Sequence, residues 1–269
     1  MEKSSIKIPL LIFLLALFIR LIFLDLTVYN ADIIQQVAYS HRIVNGEEYY
    51  LGGVVSYEGG AQQTLGPLNY YLIAPMFLFS KNYLLGAGFI AVLNSLAVLV
   101  TYIFVNKYFS KKAAIVSSLL LAVNPWHTIL YSRDVWASNY VPLFSILTVL
   151  FLFDYFYRKE PYKLALACGS IAFMTNAYLV GLFTVPALLI ALGMFRKQVK
   201  LKHLILACLV TLLFYSPYII HSFDIGSNPI KEFTSTLTYG KSTVEENSFL
   251  ENTIEGAGIP ILQTTSYFH

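Results

Sequence analysis

Long apolar runs that carry almost no charge constrain the fold of this chain more than any other feature. A helix of about 17–25 such residues can cross a bilayer, where its backbone satisfies its own hydrogen bonds. Charged residues make up 12% of the chain, against roughly 25% in soluble domains. The sequence therefore predicts an all-α, polytopic membrane protein. Suitable runs lie at 6–24, 83–106, 113–131, 138–157 and 201–222.

Two further apolar segments have unusual lengths. The run 164–195 is much longer than one span, and Asn176 and Gly181 near its middle predict a tight hairpin of two short crossings, 164–178 and 180–195. The stretch 67–80 is too short for a span, which favours an interfacial or re-entrant helix.

The distribution of charge favours one orientation of the chain. If 67–80 does not cross and the N-terminus is cytoplasmic, twelve of the eighteen basic residues lie on the cytoplasmic side, as the positive-inside rule requires. The result is seven spans in a module at 1–222. The outer face then holds the juxtamembrane region 25–82, the loop 132–139 and a polar tail at 223–269, which can be a truncated loop. The cytoplasmic basic residues are Lys3, Lys7, Lys107, Lys111, Lys112, Arg158, Lys159, Lys163, Arg196, Lys197, Lys200 and Lys202.

Residues 31–45 have the pattern of an amphipathic helix that lies flat at the interface and is closed by Asn45 and Gly46. Asp32 then faces water close to the membrane. Alternatively, Asp32 only stabilises the first turn through the helix dipole. The predicted apolar side holds Ile33, Ile34, Val37, Ala38 and Val44, and the polar side holds Asp32, Gln35, Gln36 and Tyr39.

Other charged residues lie at the predicted membrane boundaries. Arg133 suits a phosphate contact because its planar guanidinium matches phosphate oxygens, although an Arg–Asp pair with Asp134 within an aromatic belt explains it equally well. Arg20 is expected to extend outward to the headgroups. Asp154 is expected to pair with Arg158, one helical turn later.

The order of the motifs resembles a known family. G-P-L-x-Y-Y-L-x-x-P spans Gly66–Pro75, and P-W-H followed by Y-S-R-x-x-W-x-x-N-x-x-P spans Pro125–Pro142. This order is similar to that of the GT-C membrane glycosyltransferases, in the branch of protein O-mannosyltransferases and aminoarabinose transferases. The resemblance implies seven membrane helices with juxtamembrane helices after the first. It also implies transfer of a sugar from a polyprenyl-phosphate carrier to an acceptor hydroxyl on the extracytoplasmic face.

The resemblance also implies roles for individual residues. An Asp in the first outer loop acts as general base, about fifteen residues before a Gly, and Asp32 lies fourteen residues before Gly46. Asp32 is therefore the first catalytic candidate, and Asp25 is the second. No cofactor is implied, and no spacing of acids singles out a metal site. The candidates for substrate contact are Arg133, His127, Asp134, Tyr70 and Glu58.

The implied partners are a polyprenyl-phosphate-linked sugar, an acceptor glycan, lipid or protein, and membrane lipid, whereas nothing indicates nucleic acid. Members of this family usually continue with further spans. The chain is therefore a fragment, a split protein that needs a second membrane subunit, or a degenerate copy. The alternative to an enzyme is a non-catalytic subunit that binds the lipid carrier.

Overall fold

The chain forms a helical structure, seen here in a computed structural model that describes residues 6–22, 24–26, 31–52, 55–56, 63–64 and 66–224. The helices in these ranges follow the apolar runs of the sequence. They are α1 (Lys7–Leu21), α2 (Ala31–Val44), α3 (Leu68–Phe77), α4 (Leu84–Tyr108), α5 (Lys111–Val123), α6 (Pro125–Tyr131), α7 (Val141–Arg158), α8 (Lys163–Ala177), α9 (Thr184–Met194) and α10 (Leu201–Asp224). Short 3₁₀ turns cover Leu24–Leu26, Ala137–Tyr140, Leu179–Phe183 and Arg196–Gln198.

Helix α4 lies at the centre of the helical packing. It contacts α1, α5 and α7, and α7 in turn packs along α8. Small side chains allow the close approach of α1, α4 and α5, since Ala16 and Ala114 are fully buried in one cluster with Val98 of α4. Interfaces rich in small residues are typical of helices that associate within lipid, where close packing replaces the hydrophobic effect.

Several helices have the length and composition of membrane spans. Within the described ranges these are α4, the helix Ala137–Arg158 that includes α7, and α10. Helices α5 and α6 pass the same test as a pair bent by 50°, whereas α1 and α8 have 15 residues each and α9 has 11. These helices make the chain a membrane protein. Seven crossings stay a prediction.

The two helices expected at the outer face are present. Helix α2 is followed by Gly46, whose φ of +70° is the left-handed conformation that commonly ends a helix. Helix α3 has ten residues and is about 15 Å long, half the thickness of the hydrocarbon core. It is therefore too short to cross, as the sequence predicts.

The predicted division of α2 into an apolar and a polar side is only partly correct. Ile34 is 59% exposed and therefore available to lipid, but Ile33 and Val37 pack against α3. Gln36, expected on the aqueous side, is 2% exposed. The reason is that α3 covers this side of α2 and supplies Gln36 with a polar partner, which the periodicity of α2 alone does not reveal.

The long run 164–195 divides as predicted, into α8 and α9 with a 3₁₀ turn between them. Gly181 lies in this turn, where a Cβ atom would be 2.7 Å from the main-chain nitrogen of Thr175. A glycine is therefore needed for the chain to fold back so closely on α8.

A buried ion cluster joins α4, α7 and α8 at the end of the bundle away from α3. Asp154 accepts from Lys107 Nζ at 2.5 Å and from the Tyr108 hydroxyl, and Lys163 Nζ lies 3.7 Å away. The predicted pair of Asp154 with Arg158 is wrong, because Arg158 bonds to Glu160 instead. The Asp154 side of α7 faces α4 and α8.

A short antiparallel ribbon is an exception to the all-helical fold. β1 (Val55–Ser56) pairs with β2 (Gln63–Thr64), with Val55 opposite Thr64. This ribbon lies within the glycine-rich passage that follows α2.

Candidate functional site

Asn69 joins helices α2 and α3 to the loop 132–136. Its Nδ2 atom donates both to Gln36 Oε1 on α2 and to the main-chain oxygen of Val135, the latter at 3.2 Å. Asn69 belongs to α3, so one buried side chain holds α2, α3 and the loop at a single point. The sequence places these segments on the same side of the membrane, and here they are in contact.

Apolar packing strengthens the same junction. Ile33 of α2 and Val135 of the loop belong to one buried cluster with Ile73 and Phe77 of α3. The first turn of α2, which contains the main chain of Asp32, therefore lies close to the loop.

Among the predicted acids that precede α3, the structure describes the side chain of Asp25 but not those of Asp32 and Glu58. The side chain of Asp32 and the whole of Glu58 lie outside the described residues. Asp25 is exposed in the 3₁₀ turn Leu24–Leu26. The candidate base therefore rests on the position of its helix, and the choice between Asp32 and Asp25 stays a prediction.

Two asparagines hold the loop 132–139 in place. Asn94, within α4, donates its Nδ2 to the main-chain oxygens of Tyr131 at 2.6 Å and Asn139 at 2.9 Å. Asn139 in turn donates its Nδ2 to Asp134 Oδ1 at 2.5 Å. Both asparagine side chains are fully buried. The loop is thus built on α4 through specific hydrogen bonds.

Asp134 is partly buried and forms a local turn. Its Oδ1 accepts from the main-chain N–H of Trp136 at 3.0 Å as well as from Asn139. Burial raises the pKa of this carboxyl, and these two hydrogen bonds oppose the rise. The neighbouring Arg133 is half-buried. The predicted roles of Asp134 in orienting Arg133 and of Arg133 in binding phosphate are not tested by these contacts.

Arg20 does not extend to the headgroups as expected, since it is fully buried. Its Nη1 donates to the main-chain oxygens of Ala16 at 2.8 Å and Ala122 at 3.2 Å, and its Nε donates to Ser132 Oγ at 3.2 Å. Its Nη2 lies 2.5 Å from His127 Nδ1. A guanidinium with this many acceptors can stay inside the protein.

The break between α5 and α6 provides a further acceptor close to Arg20. Pro125 has no N–H, so the carbonyl of Leu121 loses its helical donor four residues later. Arg20 Nη2 lies 3.5 Å from that oxygen. Asn124 caps the new helix through a bond from the His127 N–H to its Oδ1, at 3.0 Å. The bend that interrupts the predicted span 113–131 therefore leaves main-chain oxygens within reach of the Arg20 guanidinium.

His127 lies in the first turn of α6 and is 7% exposed. Its main-chain oxygen accepts from Ser132 Oγ at 2.8 Å. His127, Ser132 and Arg20 therefore form one buried polar network next to Arg133. The structure places this predicted site residue at the end of α6 that meets α1.

Tyr70 is buried beneath an aromatic cluster on α2 and α3. Tyr39 stacks on Tyr50 with ring centroids 4.4 Å apart, and both rings contact Tyr70 edge-on. Burial raises the pKa of the Tyr70 hydroxyl, which keeps it neutral. Ser40 Oγ donates to the Tyr70 main-chain oxygen at 3.1 Å. Tyr70 thus supports the packing of α2 on α3, and its predicted contact with substrate stays a prediction.

The asparagines of the site are the residues that sequence reasoning missed. Asn69 and Asn94 each stand within an apolar segment. Polar side chains inside membrane helices usually face the protein interior and mark function or specific packing. A single asparagine within an apolar stretch is therefore the sequence signal that could have identified these two residues. The identity of their partners depends on the fold and has no local signature.

A comparison of the sequence with protein families gives one match. The family model of dolichyl-phosphate-mannose-protein mannosyltransferases matches residues 65–221. The match includes the G-P-L segment at the start of α3 and the P-W-H and S-R-D segments around α6. It begins after α2. The chain belongs to this family, which implies a glycosyltransferase of the GT-C type. No curated protein and no solved structure matches the chain at a significant level.

Proposed function

We propose that this chain transfers a sugar, with mannose as the first candidate, from a polyprenyl-phosphate carrier to an acceptor hydroxyl on the extracytoplasmic face. Membership of the mannosyltransferase family supports the donor class. The acceptor is a protein, a glycan or a lipid. The reaction takes place where α2, α3 and the loop 132–136 meet.

The chemical step needs a base and a group that stabilises the leaving phosphate. Asp32 accepts the proton of the acceptor hydroxyl while the oxygen of that hydroxyl forms a bond to the anomeric carbon. The bond between that carbon and the phosphate oxygen breaks, and the phosphate leaves with the electron pair. Arg133 and His127 stabilise the negative charge that develops on it.

The distribution of basic residues supports the proposed orientation. Lys107 and Lys163 both bind Asp154, so the end of α4 and the start of α8 share one end of the bundle. These residues belong to the clusters that the positive-inside rule assigns to the cytoplasm. Asn69 and the loop 132–136 lie away from this end. With seven crossings and a cytoplasmic N-terminus, the candidate site faces outward.

One observation carries the proposal: the contact of Asn69 with both Gln36 and Val135. It holds the acid-bearing helix against the loop that contains the Arg133 cation. A base on one side and a phosphate-binding cation on the other are the two groups that the transfer requires. Apolar side chains also pack at this junction, and the buried hydrogen bonds of Asn69 add a fixed orientation of the helix relative to the loop.

The test is transfer of label from polyprenyl-phosphate-mannose in membranes that contain the full chain. We expect Asp32→Asn to reduce transfer by about 10²- to 10⁴-fold, the usual contribution of a general base. Glu47→Gln is the matched control, because Glu47 is an exposed acid just after the same helix. Its transfer should equal that of the wild type.

Each other outcome has a defined meaning. If Asp25→Asn loses transfer and Asp32→Asn keeps it, Asp25 is the general base. Full transfer in both variants would overturn the assignment of the base. Absence of transfer in the wild type with every lipid-linked sugar, with retained binding of polyprenyl phosphate, would identify a non-catalytic carrier-binding subunit.

A further inference from the structure

The bond between Arg20 and His127 determines which imidazole nitrogen carries the proton. A guanidinium has donors only, so the Nδ1 atom 2.5 Å from Arg20 Nη2 must accept. An imidazolium would place an N–H against another N–H and is excluded by this geometry. His127 is therefore neutral, with its proton on Nε2.

Within the described part of the chain, the Nε2–H of His127 is an unsatisfied donor. It is buried, and it has no hydrogen-bond partner among the residues that the structure describes. Buried polar groups usually have a hydrogen-bond partner, and what distinguishes this donor from other unpaired groups of the described chain, such as the Tyr102 hydroxyl, is the guanidinium bound to the same ring. Here the unsatisfied atom belongs to a ring whose other nitrogen is held firmly in place.

The charge behind the ring indicates what kind of acceptor would suit this donor. The acceptors that the structure gives Arg20 are neutral: the Ser132 hydroxyl, the His127 ring and main-chain oxygens. The positive charge of Arg20 thus polarises the imidazole from the Nδ1 side. Hydrogen bonds from a donor strengthened in this way favour an anionic oxygen over a neutral one.

We propose that Arg20 is a positioning residue that holds His127 as a neutral Nε2–H donor, and that this donor binds a phosphate oxygen of the lipid carrier. The inference rests on the proposed function, because it names a residue that recognises the carrier. Arg20 itself does not touch the carrier.

The first experiment reads the tautomer in the resting protein. The full chain, labelled with ¹⁵N in its five histidines, is purified in detergent, and the His127 signals are identified by their loss in His127→Gln. We expect a protonated Nε2 and an unprotonated Nδ1. Arg20→Met should give a mixture of tautomers, and Arg20→Lys, which keeps a donor, should restore the wild-type pattern. A protonated Nδ1 in the wild type overturns the proposal, whether or not the variants fold.

The second experiment compares binding of polyprenyl phosphate and polyprenol, which differ only in the phosphate. We expect the wild type to prefer the phosphate. His127→Gln places an amide N–H near the position of Nε2 and should keep most of this preference. His127→Asn reaches only the position of Nδ1 and should lose about tenfold to a hundredfold, as for one hydrogen bond to a charged group.

The two lipids also separate the inference from the function on which it rests. Equal binding of both lipids by the wild type contradicts the proposed carrier site itself. Preference for the phosphate that persists in His127→Asn contradicts only the role of His127. Tyr102→Phe is the control, because it removes a buried hydroxyl of α4 that has no partner in the described chain. It should change neither the tautomer nor the preference.

Discussion

Gly66 donates its main-chain N–H to the main-chain oxygen of Asn176 at 2.9 Å, which joins the G-P-L segment before α3 to the end of α8. The contact is so close that a Cβ atom at position 66 would overlap the Asn176 amide. That amide is itself engaged, since Nδ2 donates to the main-chain oxygen of Phe214 at 3.0 Å. One glycine therefore links α3, α8 and α10.

Gly66→Ala should destabilise the protein by about 1–3 kcal/mol, the usual cost of an added methyl group in a packed site. The Asn176 side chain would have to move and give up its bond to α10. Thermal unfolding of the purified protein in detergent measures the effect. Gly193→Ala is the control, because a Cβ there meets nothing within 4 Å. Equal unfolding temperatures for Gly66→Ala and the control would contradict the contact.

Asn94→Ala should destabilise the loop 132–139. The substitution leaves the main-chain oxygens of Tyr131 and Asn139 without this donor, at a cost of about 1–3 kcal/mol for a buried unsatisfied group. Ser95→Ala is the control, because Ser95 Oγ donates only to the Ala91 oxygen one turn earlier in its own helix. Proteolysis within the loop and the unfolding temperature should both change in Asn94→Ala. A variant as protease-resistant as the control would show that Asn94 does not hold the loop.

Asp154→Asn should lower the free energy of unfolding more than the loss of an exposed ion pair does. The carboxylate is 4% exposed and lies between Lys107 and Lys163, and removing one partner of a buried pair costs about 3–5 kcal/mol. Glu48→Gln breaks the pair with Arg42, in which both side chains are 51% exposed, and should cost about 0–1 kcal/mol. Unfolding in denaturant at neutral pH compares the two. Similar losses in both variants would mean that solvent screens the cluster.

The pH dependence of stability should differ between the wild type and Asp134→Asn. Burial raises the pKa of Asp134 from its ordinary value of 3.8, so the folded state binds the proton more tightly than the unfolded state. The wild type should therefore lose stability relative to the variant as the pH rises from 3.8 through the raised pKa. The free energy of unfolding of both proteins, measured at a series of pH values, gives the difference. A difference that grows in the opposite direction would show that the bonds from Trp136 and Asn139 outweigh burial.

The sequence predicts local features of this protein well. Helix α2 with its end at Gly46, the short α3 and the division of 164–195 all follow from composition, length and glycine positions along the chain. Each of these signals acts over a few residues. Periodicity was less reliable for α2, where Gln36 is buried because α3 covers it.

Contacts between distant segments could not be predicted in the same way. Arg20 was expected at the headgroups, and Asp154 was expected to bond within its own helix. Both instead find partners on other helices, at Ala122 and Lys107. The general base remains a hypothesis for the same reason, because its surroundings are made by segments far apart in sequence.

The broken helix between α5 and α6 ties two remote positions to each other. Pro125 withholds a donor from the Leu121 carbonyl, and Arg20 lies close to that oxygen. The main chain of Asn124 is extended, with ψ of 117°, so the helical hydrogen bonds of α5 stop there and the guanidinium donates to carbonyl oxygens at the end of that helix. Loss of Arg20 would leave the carbonyls around the break short of donors. The arginine and the break at Asn124 are therefore one structural unit, and a substitution that straightens this part of the chain is expected to be tolerated best when Arg20 changes with it.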